Sequence, residues 1–324
     1  MDDSRKRFIF IEAVLAIMVL VLAVVMLKEQ RGEAKRKVSV IVQDSDNSQW
    51  SAFRYGLKMA AEDQGIEVFV VSTGDGMTVD EEIDAVKYEI NHGADAIIVQ
   101  PVSGTDMEGK LKKLEKKVPV MLVGNTASHD RDSSKLPTTE PDNYAMGQAV
   151  AEELLADYNG NLKGKAIGIV TADGGSESAV SRRKGFREVL EGSGADIAWS
   201  LHGVFGDSEQ GSLKNQPRAD IVVALDDASL TAAGEYSAAK DLHGALLYGI
   251  GNSTEVVYYL DTGIVECLVV PDEFSAGYQS LTEVAKSLQG YFHKMQDTML
   301  SYTVLRKEEL FTEKNQEILF TMSQ

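Results

Sequence analysis

VSVIVQDSDNSQWSAFRYGLKMAAEDQGIEVFVV, residues 38 to 71, reads strand, polar loop, helix, strand. Val38 to Val42 is a short apolar, β-branched run. The loop after it carries acids, amides and one large aromatic, with no Gly or Pro. From Ser51 the residues Phe53, Leu57, Met59 and Ala60, preceded by Trp50, recur at roughly helical spacing until Gly65 ends the run, and Ile66 to Val71 begins a second strand. In open parallel sheets, ligands bind beyond the carboxyl ends of strands, where a helix starts. A loop at that point stocked with Asn47, Gln49 and Trp50 is suited to hold a small polar molecule.

The same unit recurs along the chain. Ala96 to Val99 runs into QPVSG and a charged helix from Thr105 to Lys117, and Val118 to Val123 runs into GNTASHD. Lys165 to Val170 precedes TADGG and a helix through Ser176 to Gly192. Asp220 to Leu225, Ala245 to Ile250 and Val265 to Val270 each lead through a polar loop into a further helix. Apolar runs of about five residues alternating with helices indicate parallel strands covered on both faces, an α/β doubly wound design. Periodicity alone does not separate one large sheet from two smaller ones. A chain of 324 residues exceeds what one core usually supports, which favours two lobes.

The amino-terminal stretch is of another kind. Phe8 to Leu27 is apolar apart from Glu12, and about 20 such residues suffice to span a bilayer as a helix. A cleaved signal peptide is the rival reading, with a shorter apolar core and small residues just after it. Here KEQRGEAKRK follows, without a convincing A-x-A site, and the single cysteine, Cys267, lies far away in an expected strand. We expect an uncleaved anchor. Basic residues flank the span on both sides, so the positive-inside rule does not fix its orientation. Glu12, near the amino end, can snorkel to the interface or contact a membrane partner.

Charge excludes one class of partner. The chain has 32 Lys plus Arg against 50 Asp plus Glu, and its first 37 residues hold 8 basic and 5 acidic groups, leaving the remainder at -21. Such a surface repels phosphate backbones, so no nucleic acid is expected. One cysteine rules out an intrachain disulfide or a zinc-type cysteine cluster. Catalytic signatures are missing: there is no phosphate-binding loop, no dinucleotide fingerprint, no H-E-x-x-H and no G-x-S-x-G. The five histidines have no ligand spacing. Asp226 and Asp227 end a strand, where one carboxylate suits ligand hydroxyls and the other the cap of the next helix. No enzyme, metal or cofactor is indicated.

With these residues in view, residues 38 to 324 resemble a type I periplasmic sugar-binding protein, the group of the ribose- and galactose-binding proteins. VQDSDNSQWSAFRYGLKMAAEDQG, GADAIIVQPVSG and VPVMLVGN carry the likeness in the first half. EPDNYAMGQAVAEELL resembles the family's D-N-x-x-x-G helix start and ESAVSRRKGFREVL its R-x-x-G-F helix, and VVPDEFSAGYQSLTEVAKSL resembles the segment that returns the chain to the first lobe. The resemblance implies two α/β lobes joined by three crossings, near Leu136 to Asp142, near Pro271 and near Asp297 to Tyr302, that close over a ligand by a hinge motion. It implies an organisation of tail, anchor and linker at 1–37, one lobe from 38–140 with 272–300, and another from 141–271 with 301–324. It places the large domain outside the cytoplasmic membrane.

Ligand contacts follow from the resemblance position by position. Asn47 matches the amide of the first loop, and Trp50 an aromatic that packs on a sugar ring, although helix packing alone would also account for it. Arg182 matches the arginine that reaches into the cleft, a forked donor for hydroxyls or a carboxylate. Asp226 takes the place of an acid or amide after a second-lobe strand, and Asn252 lies beside the family's acid. Where ribose-type proteins end the fourth strand in an Asp–Arg pair, this chain has Gly124 and Asn125, a weaker clamp. Gln49 replaces a second aromatic and Gly251 an acid. These departures point towards a sugar derivative, a polyol or another small polar signal.

Three functions fit this reading: a tethered solute receptor for an ABC permease, a sensing subunit for a membrane histidine kinase or chemoreceptor, and a repressor-type ligand domain. The last needs an N-terminal helix-turn-helix, where this chain has a hydrophobic span. If Phe8 to Leu27 is retained, the full-length protein stays in the membrane fraction and resists carbonate extraction; a mature N-terminus at or beyond Lys28 would show cleavage instead.

Overall fold

In β1 (Lys37–Gln43) every residue from Val38 to Val42 is buried, because the strand lies inside a parallel sheet with both faces covered. α1 (Ser51–Gln64) buries Ala52, Phe53, Gly56, Leu57 and Ala60 along one face and ends at Gly65, whose φ of 66° suits the left-handed helix cap. The computed structural model describes residues 14–19, 35–74, 76–102, 106–124, 136–172, 174–203, 213–290 and 293–323. The chain divides into Met1–Arg36 and Lys37–Gln324. Residues 14–19 are helical, while the rest of the expected Phe8–Leu27 span lies outside the described residues. Among the described residues no helix is long and apolar enough to cross a membrane.

The remaining elements alternate. They run β2 (Glu67–Thr73), α2 (Val79–Asn91), β3 (Ala96–Val99), α3 (Met107–Glu115), β4 (Val120–Val123) and β5 (Thr138–Pro141). Next come α4 (Asn143–Asp157), β6 (Ala166–Thr171), α5 (Glu177–Leu190), β7 (Asp196–His202), β8 (Ile221–Ala224), α6 (Asp227–Ala238), β9 (Leu246–Ile250), α7 (Thr254–Thr262) and β10 (Val265–Pro271). The chain ends with α8 (Glu273–Gln289), β11 (Thr298–Leu300), β12 (Tyr302–Leu305) and α9 (Glu313–Met322). Two six-stranded sheets result, in the orders β11-β5-β4-β3-β1-β2 and β12-β10-β9-β8-β6-β7. This is a two-lobed α/β fold with parallel sheets.

The second sheet repeats the strand order of the first, and the chain passes between them at three points, Pro141–Asp142, Pro271–Asp272 and Ser301. The third passage runs with the first and against the second. Hence β11 pairs parallel with β5 while β12 pairs antiparallel with β10. The three passages are bonded together: the Asp142 amide donates to the Leu300 carbonyl at 3.1 Å and the Asp272 amide to the Ser301 carbonyl at 3.2 Å.

Both helices that follow a crossing begin alike, P-D-N-Y-A-M-G at 141–147 and P-D-E-F-S-A-G at 271–277. Asp142 and Asp272 cap α4 and α8, accepting from the Ala145 and Ser275 amides at 2.9 and 3.0 Å. Gly147 and Gly277 then let another backbone come close. A β-carbon on Gly277 would strike the Phe53 carbonyl of α1, and one on Gly147 the Arg182 carbonyl of α5. Gly56 and Gly185 return the contact against Phe274 and Tyr144. Each lobe therefore has one tightly crossed helix pair, α1 with α8 and α4 with α5.

Gly277→Ala is expected to destabilise the unliganded protein by about 2 kcal/mol, because the added methyl overpacks a rigid backbone contact. Gly74→Ala, where a β-carbon meets nothing within 4 Å, should stay within about 0.5 kcal/mol. Urea unfolding of the two variants beside the wild type checks the difference.

Candidate functional site

The loop after β1 is rigid by construction. Asp44, with φ 46°, bonds through its amide to the Thr73 carbonyl at 2.9 Å, turning the chain out of the sheet. Asn47 then caps a short 3-10 turn over Ser48–Trp50, its Oδ1 accepting from the Gln49 amide at 3.1 Å. Trp50 is only 7% exposed and belongs to the core of its own lobe. Its indole N–H donates to the Gln43 carbonyl at 2.9 Å, and its ring meets Phe53 edge-on at 5.3 Å. The tryptophan expected to stack on a sugar is thus committed to packing.

This loop reaches the other lobe directly. Asn252 Nδ2 donates to the Gln49 carbonyl at 2.6 Å, and the Ser48 hydroxyl donates to Glu255 Oε2 at 2.6 Å. That second bond holds the Glu255 carboxyl below the usual range. Asn252 is fixed from behind by Asp227, whose Oδ1 accepts from the amides of Asn252 and Ser253, each at 2.8 Å. Burial raises the Asp227 carboxyl and the two amide bonds oppose it. Asp227 also accounts for Gly251, where the family resemblance leads one to expect an acid: a β-carbon there would lie 2.8 Å from Asp227 Oδ1.

Arg182 lies on α5, set by the α4–α5 crossing. Its Nε donates to Asn143 Oδ1 at 2.7 Å and its Nη1 to the Leu225 carbonyl at 2.9 Å. Burial lowers the guanidinium, and the charges of Asp226, Glu273 and Glu140 oppose that shift. Asp226 is beside it but largely occupied: Oδ2 accepts from the Ala172 amide and Oδ1 from the Ser229 amide, each at 2.8 Å. It serves as N-cap of α6 and as a clamp between two loops.

Of the six residues expected at the site, Arg182 and Asp226 meet through the Leu225 turn, and Asn252 joins the loop that Asn47 caps. Trp50 faces its own core. Asn125 lies outside the described residues. The sequence reading missed Asn143, Asp227 as the anchor of Asn252, and Glu273. The repeated P-D-x-aromatic-x-x-G pattern was the available signal, since it places Asn143 and Glu273 at matching helix starts beside the crossings.

Glu273 lines a cavity of about 360 Å³ that reaches from Ala52 in the first lobe to Asn252 in the second, with Ser301, Lys314 and Glu317 also on its wall. Burial pushes the Glu273 carboxyl up to about 7, against the pull of the Arg182 charge. Among the described residues no group of three or more His, Cys, Asp or Glu side chains could hold a metal ion. The arrangement can bind a small polar molecule between lobes.

Because Trp50 is packed, Trp50→Ala should lower the stability of the unliganded protein by about 3 kcal/mol, the usual cost of emptying a buried aromatic site. A thermal melt without ligand checks this; an unchanged melting temperature with weakened ligand binding would restore the stacking role.

Residues 38–291 match the family model described as a periplasmic binding protein domain. The galactofuranose-binding protein YtfQ of Escherichia coli (strain K12) is 30% identical over 154 residues, 46% of this chain and 46% of the relative. The match thus spans about half the length of that relative. A carbohydrate transporter solute-binding protein from Agrobacterium radiobacter, solved with D-arabinose, superposes with a TM-score of 0.76 at 17% identity, covering 89% of this chain and 99% of the other. The Caulobacter myo-inositol-binding protein with myo-inositol gives 0.72 at 20% identity over 88% and 100%. The XylFII–LytSN complex gives 0.70 at 16% over 85% and 98%. At such identities these structures establish the shared fold. The family model covers most of the chain, which is therefore a binding protein rather than an enzyme and belongs to the periplasmic binding protein domain family.

Proposed function

We propose that this chain is an extracytoplasmic solute-binding protein, tethered by Phe8–Leu27, that captures a sugar-like ligand between its lobes and presents it to an ABC permease. The observation that carries this reading is the cavity between the lobes, bounded by residues of both and by crossing segments tied to one another. The lobes, 38–140 with 272–300 and 141–271 with 301–324, close on the ligand by bending at the three crossings. Arg182 and Asn252 are its polar contacts from the second lobe, with Asn47 and Asp226 shaping the loops around them and Asn125 a further contact. The ligands in the solved neighbours, D-arabinose and myo-inositol, are neutral polyhydroxyl compounds, which supports the choice of class.

A second reading keeps the module and changes its reader: the closed form signals to a membrane histidine kinase. The XylFII–LytSN complex among the structural neighbours favours it, as does a binding domain tethered by its own helix. Deleting the gene distinguishes the two. Loss of uptake of the ligand indicates the permease, whereas retained uptake with a lost response indicates the kinase.

A thermal-shift screen of the full chain against sugars and polyols tests the shared core of both readings. A ligand at 100 times its dissociation constant should add about 2.7 kcal/mol. Arg182→Ala should weaken that ligand by about 10-fold or more, since the bonds to a charged donor are lost. No shift with any sugar or polyol would overturn the proposal.

A further inference from the structure

The two helix starts beside the crossings carry the same pattern with one chemical difference. Asn143 is a neutral amide whose Oδ1 is occupied by Arg182 of the facing helix in its own lobe. Glu273 holds the matching place in the first lobe. There the facing helix is α1, and the residue whose carbonyl meets Gly277, as Arg182 meets Gly147, is Phe53. Among the described residues none donates to the Glu273 carboxylate or pairs with it.

Its other neighbours make the place more negative. The Asp272 and Asp227 charges both push the Glu273 carboxyl up, on top of burial, and Arg182 alone pulls it down. Arg182 is engaged at Nε and Nη1 by Asn143 and Leu225. On the cavity wall Lys314 and Glu317 of α9 are both exposed, one cation beside one acid. A neutral hydroxyl could be held by an amide, as the repeat carries at Asn143. Glu273 is half-buried, and its carboxylate lies on the cavity wall without a bonding partner, which leaves it available to a cationic group of a ligand.

We propose that Glu273 is a specificity residue of this cleft and that it selects a sugar or polyol bearing a protonated amine over its neutral or anionic counterparts. The ammonium sits against the Glu273 carboxylate inside the cavity, with its hydroxyls towards Arg182 and Asn252. This rests on the solute-binding reading above and narrows its ligand class. Phosphorylated and carboxylated sugars are rejected, since one engaged arginine faces several acids.

The test is isothermal titration of the full chain in detergent micelles at neutral pH with matched series: glucose, glucosamine and N-acetylglucosamine, and the same for galactose and mannose. In at least one series the amine should bind about tenfold or more tighter than both its parent and its N-acetyl form. Glu273→Gln, an isosteric change, should remove that preference, and Glu273→Asp should keep part of it; melts without ligand confirm that both variants fold. A parent sugar that binds as tightly as its amine, or a preference that survives in Glu273→Gln, overturns this inference and leaves the solute-binding reading standing. If no member of any series binds and the wider sugar screen is also blank, both are wrong.

Discussion

The close crossing of two helix pairs is the constraint on which the rest depends. α1 packs on α8 and α4 on α5 with glycine against backbone, a separation that no side chain allows. Such contacts are rigid because interiors are close-packed and a carbonyl cannot move aside as a side-chain tip can. They set where α4 and α8 begin, and those starts are the ends of the first two crossings. Asn143, Glu273 and Arg182 take their positions from this geometry.

Inside that frame the polar groups divide into structure and site. Asp226 and Asp227 lie at a strand end, where ligand acceptors are expected, yet their oxygens hold backbone amides of neighbouring loops. Asp227 is the support that fixes Asn252, and Asp226 ties Ala172 to Ser229. The domain carries a large excess of acid, and the half-buried Arg182 feels the charges of Asp226, Glu273 and Glu140. An arginine so surrounded stays charged while its neighbours share its field, leaving little attraction for an anion.

Much of the fold was legible in the chain. The buried strands β1, β3, β6, β8, β9 and β10 are apolar runs because both of their faces are covered. The strands that no apolar run announced are β5, β7, β11 and β12. β7 alternates at a sheet edge, and β5, read as T-T-E-P, is a strand only because β4 and β11 flank it. Of the residues expected at the site from the family resemblance, the fold brings Arg182 to Asn143 and Leu225, and Asn252 to Gln49. Trp50 was misplaced because an aromatic at a helix start looks alike in sequence whether it faces a cleft or a core.

The sequence by itself determined the alternation of strand and helix, a length that favours two lobes and the acidic charge. These depend on local periodicity and composition. Tertiary structure decided which polar side chains remain available to a ligand. That is a matter of partners far apart in the chain: Asn143 is met by Arg182 and Asp227 by Asn252, while among the described residues no cation bonds to Glu273, which only feels the charge of Arg182. A carboxylate's role is fixed by the charge and donors brought within a few ångströms, and only folding brings them there.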